Sequence, residues 1–320
     1  MKKLLIINII FIMLIALSCS SKEQPTEPPT EPQASFPELS GPYLGQTPPG
    51  NSPSVFAAGV ISANNNEFNL AEYPGGEEIY FVQLVDAGNQ RIGKIVCTKI
   101  VNGYWTEPKV APFSGVYSDA YIAIHPDGSR LYFQSNRPIS HSESNYEWNI
   151  WYVERVGNTW SEPKSMGKPI NGINNVSGPS VTANGTMYFT IMTIGGLSEI
   201  YCSKYANGTY QVPQRLPNNV NSVTQQFDSY IAPDESYLIF NIYARSDSYG
   251  GTDLYVSFRD LTNSWSSAVN LGSKINTAGD ESSANITPDG KYIFFARTNK
   301  ETNNSLDIYW VSSQIINNLQ

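Results

Sequence analysis

Residues 119–137 read DAYIAIHPDGSRLYFQSNR and residues 147–163 read EWNIWYVERVGNTWSEP. Asp119–Ile124 alternates in polarity and runs into the turn Pro126-Asp127-Gly128. Arg130–Gln134 follows with an aromatic pair, Tyr132-Phe133. After a polar excursion, Ile150–Arg155 makes a third strand, Gly157-Asn158 a tight turn, and Trp160-Ser161-Glu162-Pro163 opens a fourth. Pro presets φ at the first turn position and Gly tolerates positive φ, while a Gly/Asn pair suits a two-residue hairpin. The stretch predicts a four-stranded antiparallel meander.

The same landmarks recur from one end of the chain to the other. The first turn returns as Pro74-Gly75-Gly76, Ala183-Asn184-Gly185, Pro233-Asp234-Glu235 and Pro288-Asp289-Gly290, roughly 50 to 57 residues apart. Second-strand pairs return as Tyr80-Phe81, Tyr188-Phe189, Ile239-Phe240 and Phe294-Phe295. Third strands read Lys94-Ile95-Val96, Glu199-Ile200-Tyr201, Asp253-Leu254-Tyr255 and Asp307-Ile308-Tyr309. A repeat of this length made of four short strands is the mark of propeller blades. Pro108, Pro163 and Pro213 fall in the fourth strand, where a missing N–H is tolerable only at an edge. The fifth copy stops after its third strand, and one apolar run, Val55–Ser62, precedes the first copy. The reading is all-β: a five-bladed β-propeller of four-stranded antiparallel blades, closed by an N-terminal strand.

The Pro-Asp-Gly, Tyr-Phe, Ser135-Asn136-Arg137 and Asp-Ile-Tyr landmarks resemble the Pro-Asp-Gly propeller repeats of the TolB type, related to WD repeats. The resemblance covers residues 36–320. The TolB pattern is six blades behind a separate α/β domain, whereas five copies are found here, so the family's role in envelope transport is not carried over. These motifs speak to fold and hardly at all to activity.

At the N-terminus, Met1-Lys2-Lys3 and the apolar run Leu4–Leu17 precede Cys19. The run is short for a membrane span. Ile15-Ala16-Leu17-Ser18-Cys19 resembles a bacterial lipoprotein signal, which implies residues 1–18 as a signal peptide and lipidation of Cys19. Ser20, in place of Asp, favours the outer membrane. Ser20–Pro53 holds nine of the 21 prolines, and residues 19–35 read as a disordered tether ahead of one propeller domain, 36–320. The expected location is the bacterial cell envelope, lipid-anchored. With Lys2 and Lys3 removed, the net charge goes from −8 to −10. No basic stripe exists, which argues against nucleic acid as a partner.

The search for chemistry returns little. His125 and His141 are the two histidines, with no His-Glu-x-x-His, no Gly-x-Ser-x-Gly and no phosphate-binding loop. No cofactor and no metal is expected. Cys97 and Cys202 occupy equivalent positions in non-adjacent copies and read as small core residues. The excursions between second and third strands (84–93, 136–149, 192–198, 244–252, 297–306) are long and dissimilar, and all emerge on the face where first strands begin. Loops on a rigid scaffold are where binding usually resides. The first strands open with Glu67, Asp119, Asp228 and Asp280-Glu281. Glu67, Asp119, Asp228 and Glu281 therefore form an expected carboxylate ring at the channel mouth, with Tyr146 and Trp148 at its rim. The ring has two readings: caps paired with backbone donors or with Arg137, Arg245 and Arg297, or a ligand site. The functional expectation is a binding or protein-interaction scaffold for a protein, peptide or glycan. The alternative is a carbohydrate-active enzyme, glycosidase or sialidase-like, working with paired carboxylates, although the Ser-x-Asp-x-Gly box of sialidases is absent.

Overall fold

Five tight turns set the frame. Across each, a backbone N–H donates to a carbonyl: Gly76 to Tyr73, Gly128 to His125, Gly185 to Thr182, Glu235 to Ala232 and Gly290 to Thr287, at 2.7–3.0 Å. Four of the donors are glycines with left-handed φ. Glu235 adopts φ 62° without that freedom, a conformation that costs an L-residue roughly 1 kcal/mol. Its side chain offsets this, accepting from the Tyr188 hydroxyl at 3.3 Å and pairing with Arg259. The turn residue Asp127 also accepts from the Ser129 N–H at 2.8 Å, and Asn184 and Asp234 repeat the device.

The computed structural model describes residues 36–63, 66–139, 147–172, 175–193, 195–223, 225–299 and 305–320. Apart from a two-stranded hairpin, Tyr205–Ala206 with Thr209–Tyr210, the strands fall into five antiparallel sheets, numbered here as blades in chain order, with strands counted from the inside. Blade 1 is Glu67–Glu72, Glu78–Ala87, Gln90–Val101 and Lys109–Val110. Blade 2 is Asp119–Ile124, Arg130–Ser135, Asn149–Val156 and Lys164–Ser165. Blade 3 is Asn175–Val181, Met187–Met192, Ser198–Ser203 and Gln214–Arg215. Blade 4 is Gln226–Ile231, Tyr237–Tyr243, Thr252–Phe258 and Val269–Asn270. Blade 5 is Glu281–Ile286, Tyr292–Asn299, Ser305–Ser312 and the N-terminal Ser54–Val55. Each first strand contacts the first strands of its neighbours, and that of blade 5 contacts that of blade 1. The chain is a five-bladed β-propeller.

Closure runs through the N-terminal strand as expected, with a shorter pairing. Ser54 pairs with Trp310 and Val55 with Tyr309, and the Phe56 N–H donates to Ile308 O at 2.8 Å. Phe56 is fully buried, its ring 4.8 Å from Phe294 and 5.1 Å from Trp310. Beyond Phe56 the apolar run is not strand. Ser62 there brackets Ile308, accepting from its N–H and donating to its carbonyl. The bracket recurs around the ring. Asn171 holds Ile150, Asn221 holds Ile200 and Asn276 holds Leu254, each through both amide atoms at 2.8–2.9 Å. In blade 1, Ser114 Oγ accepts from the Ile95 N–H at 3.0 Å.

Two local expectations need correcting. Trp160 does not open the outer strand of blade 2, and Trp105 is placed the same way in blade 1. Tyr104–Trp105 and Thr159–Trp160 pair with the far ends of the third strands, and two-residue outer strands follow Pro108 and Pro163. Proline, lacking an N–H, separates the two pairing segments. The blade 1 excursion, 84–93, is strand extended to a two-residue turn, Ala87 pairing with Gln90. Cys97 and Cys202 are free thiols, pushed up in pKa by burial.

Every first strand carries a feature the sequence does not announce. Its register with the second strand slips by one residue, between Phe68 and Ala71, Ala120 and Ala123, Ser177 and Ser180, Phe227 and Tyr230, and Ser282 and Asn285. Inside each bulge one residue takes a left-handed φ of 49–55°: Asn69, Tyr121, Gly178, Asp228 and Ser283. Such a bulge turns a side chain relative to the regular alternation. Only one of the five is glycine. Its place in blade 3 is dictated by crowding, since a Cβ there would lie 3.0 Å from Asp228 Cα.

Candidate functional site

The first strands begin at the loop-rich mouth, where a pocket of about 560 Å³ spans blades 1 to 4. Its walls are Leu84 and Gly93 of blade 1, Trp148 of blade 2, Met192 and Leu197 of blade 3, and Phe227 of blade 4. Its polar lining includes Tyr121, Gln134 and Asp228. A mostly apolar concavity with a few convergent polar groups is the usual form of a ligand site.

Glu67, Asp119 and Glu281 do not line this pocket. Each is fully buried at the opening of its first strand. Glu67 accepts from the Ala63 N–H at 3.2 Å and from Gln83 Nε2 at 3.3 Å. Glu281 accepts from the Thr277 N–H and hydroxyl at 2.9 and 2.6 Å, and pairs with Arg297 Nε at 2.9 Å. Asp119 accepts from Ser114 Oγ at 2.6 Å and Arg137 Nη2 at 2.8 Å. Burial pushes the carboxyls of Glu67 and Glu281 up in pKa against these hydrogen bonds. Arg137 and Arg297 each also donate to a carbonyl of the bracket loop, Phe113 O and Ile275 O. These acids tie the first strand to the loop that precedes it.

Asp228 belongs to a different register. The residue of blade 4 aligned with Glu67, Asp119 and Glu281 is Gln226, whose amide binds the Val223 N–H and the carbonyls of Val223 and Ser198. In blade 3 the position is Val176. The expected ring of four carboxylates is therefore corrected to three buried caps, a glutamine and a valine. Asp228 lies two residues further on, at the bulge, and faces the pocket. Tyr121 and Asn241 hydrogen-bond it, the latter from Nδ2 to Oδ2 at 3.0 Å. Arg245 does not reach it, pairing with Asp247 at 3.0 Å and donating to Ala268 O. Burial raises the Asp228 carboxyl to about 7, with the Tyr121 and Asn241 bonds acting in the opposite direction.

Of the expected rim aromatics, Trp148 lines the pocket, its backbone fixed by donation to Asn175 Oδ1 at 2.9 Å and acceptance from Val176. Tyr146, His141 and Cys19 lie outside the described residues. His125 sits at the opposite face, in the Pro126 turn, 2.7 Å from Asp127. Among the described residues no cluster of three or more potential ligands could hold a metal ion.

Sequence reasoning missed the apolar walls Met192, Leu197 and Phe227 and three polar residues of the site, Tyr121, Gln134 and Asn241. A signal for two of the polar residues existed. The residue after each second-strand pair reads Val82, Gln134, Thr190, Asn241 and Ala296. All are buried, and three are polar. Gln134 Oε1, Thr190 Oγ1 and Asn241 Oδ1 have no hydrogen-bond partner among the described residues. Buried polar groups are otherwise almost always satisfied.

No protein-family model matches the sequence, and no curated protein matches it. Solved structures do match. A glycoside hydrolase shares 10% identity over 86% of this chain and 92% of its own, with a TM-score of 0.53. TolB from Acinetobacter baumannii shares 16% identity over 78% of this chain, with a TM-score of 0.49. The Bacillus subtilis arabinanase Arb43A shares 13% over 78% of this chain and 94% of its own, with a TM-score of 0.49. This chain spans 55% of the TolB chain's length. At such identities the likeness is one of fold.

Proposed function

We propose that this chain is a binding module of the bacterial cell envelope, a TolB-type propeller lipoprotein anchored through Cys19 at the outer membrane. It holds its ligand, a protein, peptide or glycan, in the loop-rich mouth of the central channel. The observation that carries the reading is the open pocket walled by Trp148, Met192, Leu197 and Phe227, with Tyr121, Gln134 and Asp228 lining it. The carbohydrate-active alternative needs two carboxylates flanking an open pocket ~5–9.5 Å apart. Among the described residues that line this pocket, Asp228 is the single carboxylate. Glu67, Asp119 and Glu281 are buried and engaged within their blades, which favours binding over hydrolysis.

The test is a peptide and glycan array probed with the full chain and with Trp148→Ala. Retained folding with lost binding in the variant supports the mouth as the site. Hydrolysis of a glycoside by the wild type, abolished by Asp228→Asn, would replace the binding reading with the enzymatic one. For the anchor, Cys19→Ala should cease to incorporate labelled fatty acid and should leave the membrane fraction. Unchanged partition would remove the tether.

A further inference from the structure

We propose that the mouth pocket takes an aliphatic primary amine. Its ammonium group sits against the Asp228 carboxylate and the Gln134 carbonyl, and its alkyl stem lies along Met192, Leu197 and Phe227. This rests on the reading of the mouth as a binding site and names the chemistry of what it binds.

The first argument is a surplus of acceptors. Gln134 is 4% exposed and lines the pocket, and its Oε1 has no donor among the described residues. Asn241, fully buried, gives Nδ2 to Asp228, which orients its Oδ1 elsewhere and leaves that atom without a donor too. Tyr121 spends its hydroxyl on Asp228. At the rim, Gln225 Nε2 is engaged by Gly196 O at 3.4 Å. Among the residues that line the pocket, the buried atom left unmatched is Gln134 Oε1, an acceptor, and a ligand that brings N–H groups satisfies it.

The second argument is charge. Asp119 and Glu281 each have a guanidinium within 2.9 Å, whereas no cation among the described residues pairs with Asp228. The cation that lines the pocket, Arg91, is half-exposed and sits 3.4 Å from Asp86. Buried charges are ordinarily paired, and an ammonium is a compact point charge with three donors. Apolar walls above the carboxylate match a methylene stem, as lysine stems do on apolar surface. The groups facing Asp228 are Tyr121 from blade 2, the backbone of Gly178 from blade 3, Asn241 within blade 4, and Arg91 across the pocket. Because burial raises the Asp228 carboxyl to about 7, an ammonium entering near neutral pH displaces a proton, and binding tightens as pH rises.

The experiment is calorimetric titration of the full chain with pentylamine, with Nα-acetyl-lysine methylamide, and with the neutral isostere 1-pentanol, at pH 6 and pH 8. The amines should bind at least tenfold more tightly than pentanol. Their affinity should rise severalfold from pH 6 to pH 8, and should fall tenfold or more in Asp228→Asn and in Gln134→Leu. Tighter binding of the lysine derivative assigns the amine to a partner's side chain, and tighter binding of pentylamine to a free ligand; either supports the proposal. Equal binding of pentanol and pentylamine would overturn it while leaving the mouth a binding site. Silence from all three probes, with an array ligand still bound at Trp148, would do the same. Silence from probes and array alike overturns both readings. Should Asp228→Asn fail to fold, Gln134→Leu and the pH dependence of the wild type still decide.

Discussion

Asp119 of blade 2 and Asp228 of blade 4 are both buried carboxylates on first strands, and they have opposite surroundings. Asp119 accepts from Arg137 at 2.8 Å and Ser114 at 2.6 Å, and Arg137 is itself packed over the rings of Tyr117, Phe133 and Trp151. Asp228 sits two register positions further along the equivalent strand, inside the bulge, and takes its side-chain hydrogen bonds from the neutral Tyr121 and Asn241. The difference teaches that burial alone does not define a role. A caged carboxylate is a strut, while one with neutral neighbours beside an open pocket has unspent electrostatic capacity.

The largest test of that contrast is Arg137→Met. It strands the Asp119 charge in the blade interior, and breaking a buried pair this way costs about 3–5 kcal/mol. Denaturant melts should show it, and adding Asp119→Asn should recover part of the loss. If Arg137→Met unfolds like the wild type, Asp119 is no strut. Next in size is Asn276→Ala, which leaves both the Leu254 N–H and carbonyl without their bracket. A loss of about 1–3 kcal/mol is expected from unpaired buried backbone groups, and hydrogen exchange at Leu254 should accelerate.

Asp228→Asn sharpens the comparison through pH. A carboxyl whose folded pKa is raised binds more protons folded than unfolded, so stability is greatest below its unfolded value and declines as pH climbs. For Asp228 that decline runs from 3.8 to about 7. The variant should match the wild type near pH 4 and gain on it steadily towards pH 8 in thermal melts. A variant that is less stable than the wild type at pH 8 would put Asp228 with Asp119 as architecture. The smallest expected effect is Trp148→Ala. The side chain is only half-buried at the pocket wall, so its loss should cost under about 1 kcal/mol while abolishing ligand capture. A collapse in melting temperature would make Trp148 a packing residue instead.

Much of the fold was legible because its signals are local. Pro126-Asp127-Gly128 and its copies fix turns through φ preferences and side-chain bonds of neighbours in sequence, and the Tyr-Phe pairs repeat at the same offset. The missing last strand of the fifth copy even indicated which segment closes the ring. The bracket residues Asn171, Asn221 and Asn276 were visible as Ile/Val-Asn pairs but went unread, because serine replaces asparagine at Ser62 and Ser114. The candidate site was legible in its location, the loop-rich mouth, and in Trp148. It was not legible in its chemistry.

By itself, then, the sequence determined five antiparallel blades, their closure by a segment N-terminal to the first blade, and the face on which long loops gather. Only the tertiary structure decided which acids face the pocket. Five different residue types, Asn69, Tyr121, Gly178, Asp228 and Ser283, share one left-handed position, so no composition marks the bulge. A shift of one residue in pairing reverses which side chains face inward. Glu67, Asp119 and Glu281 are held by partners within their own blades. The bulges, among them the one that turns Asp228 to the pocket, pack against neighbouring blades, as where the Asn69 side chain accepts from the Ile122 N–H and Ser180 Oγ from the Ile231 N–H, contacts no single stretch of the chain encodes.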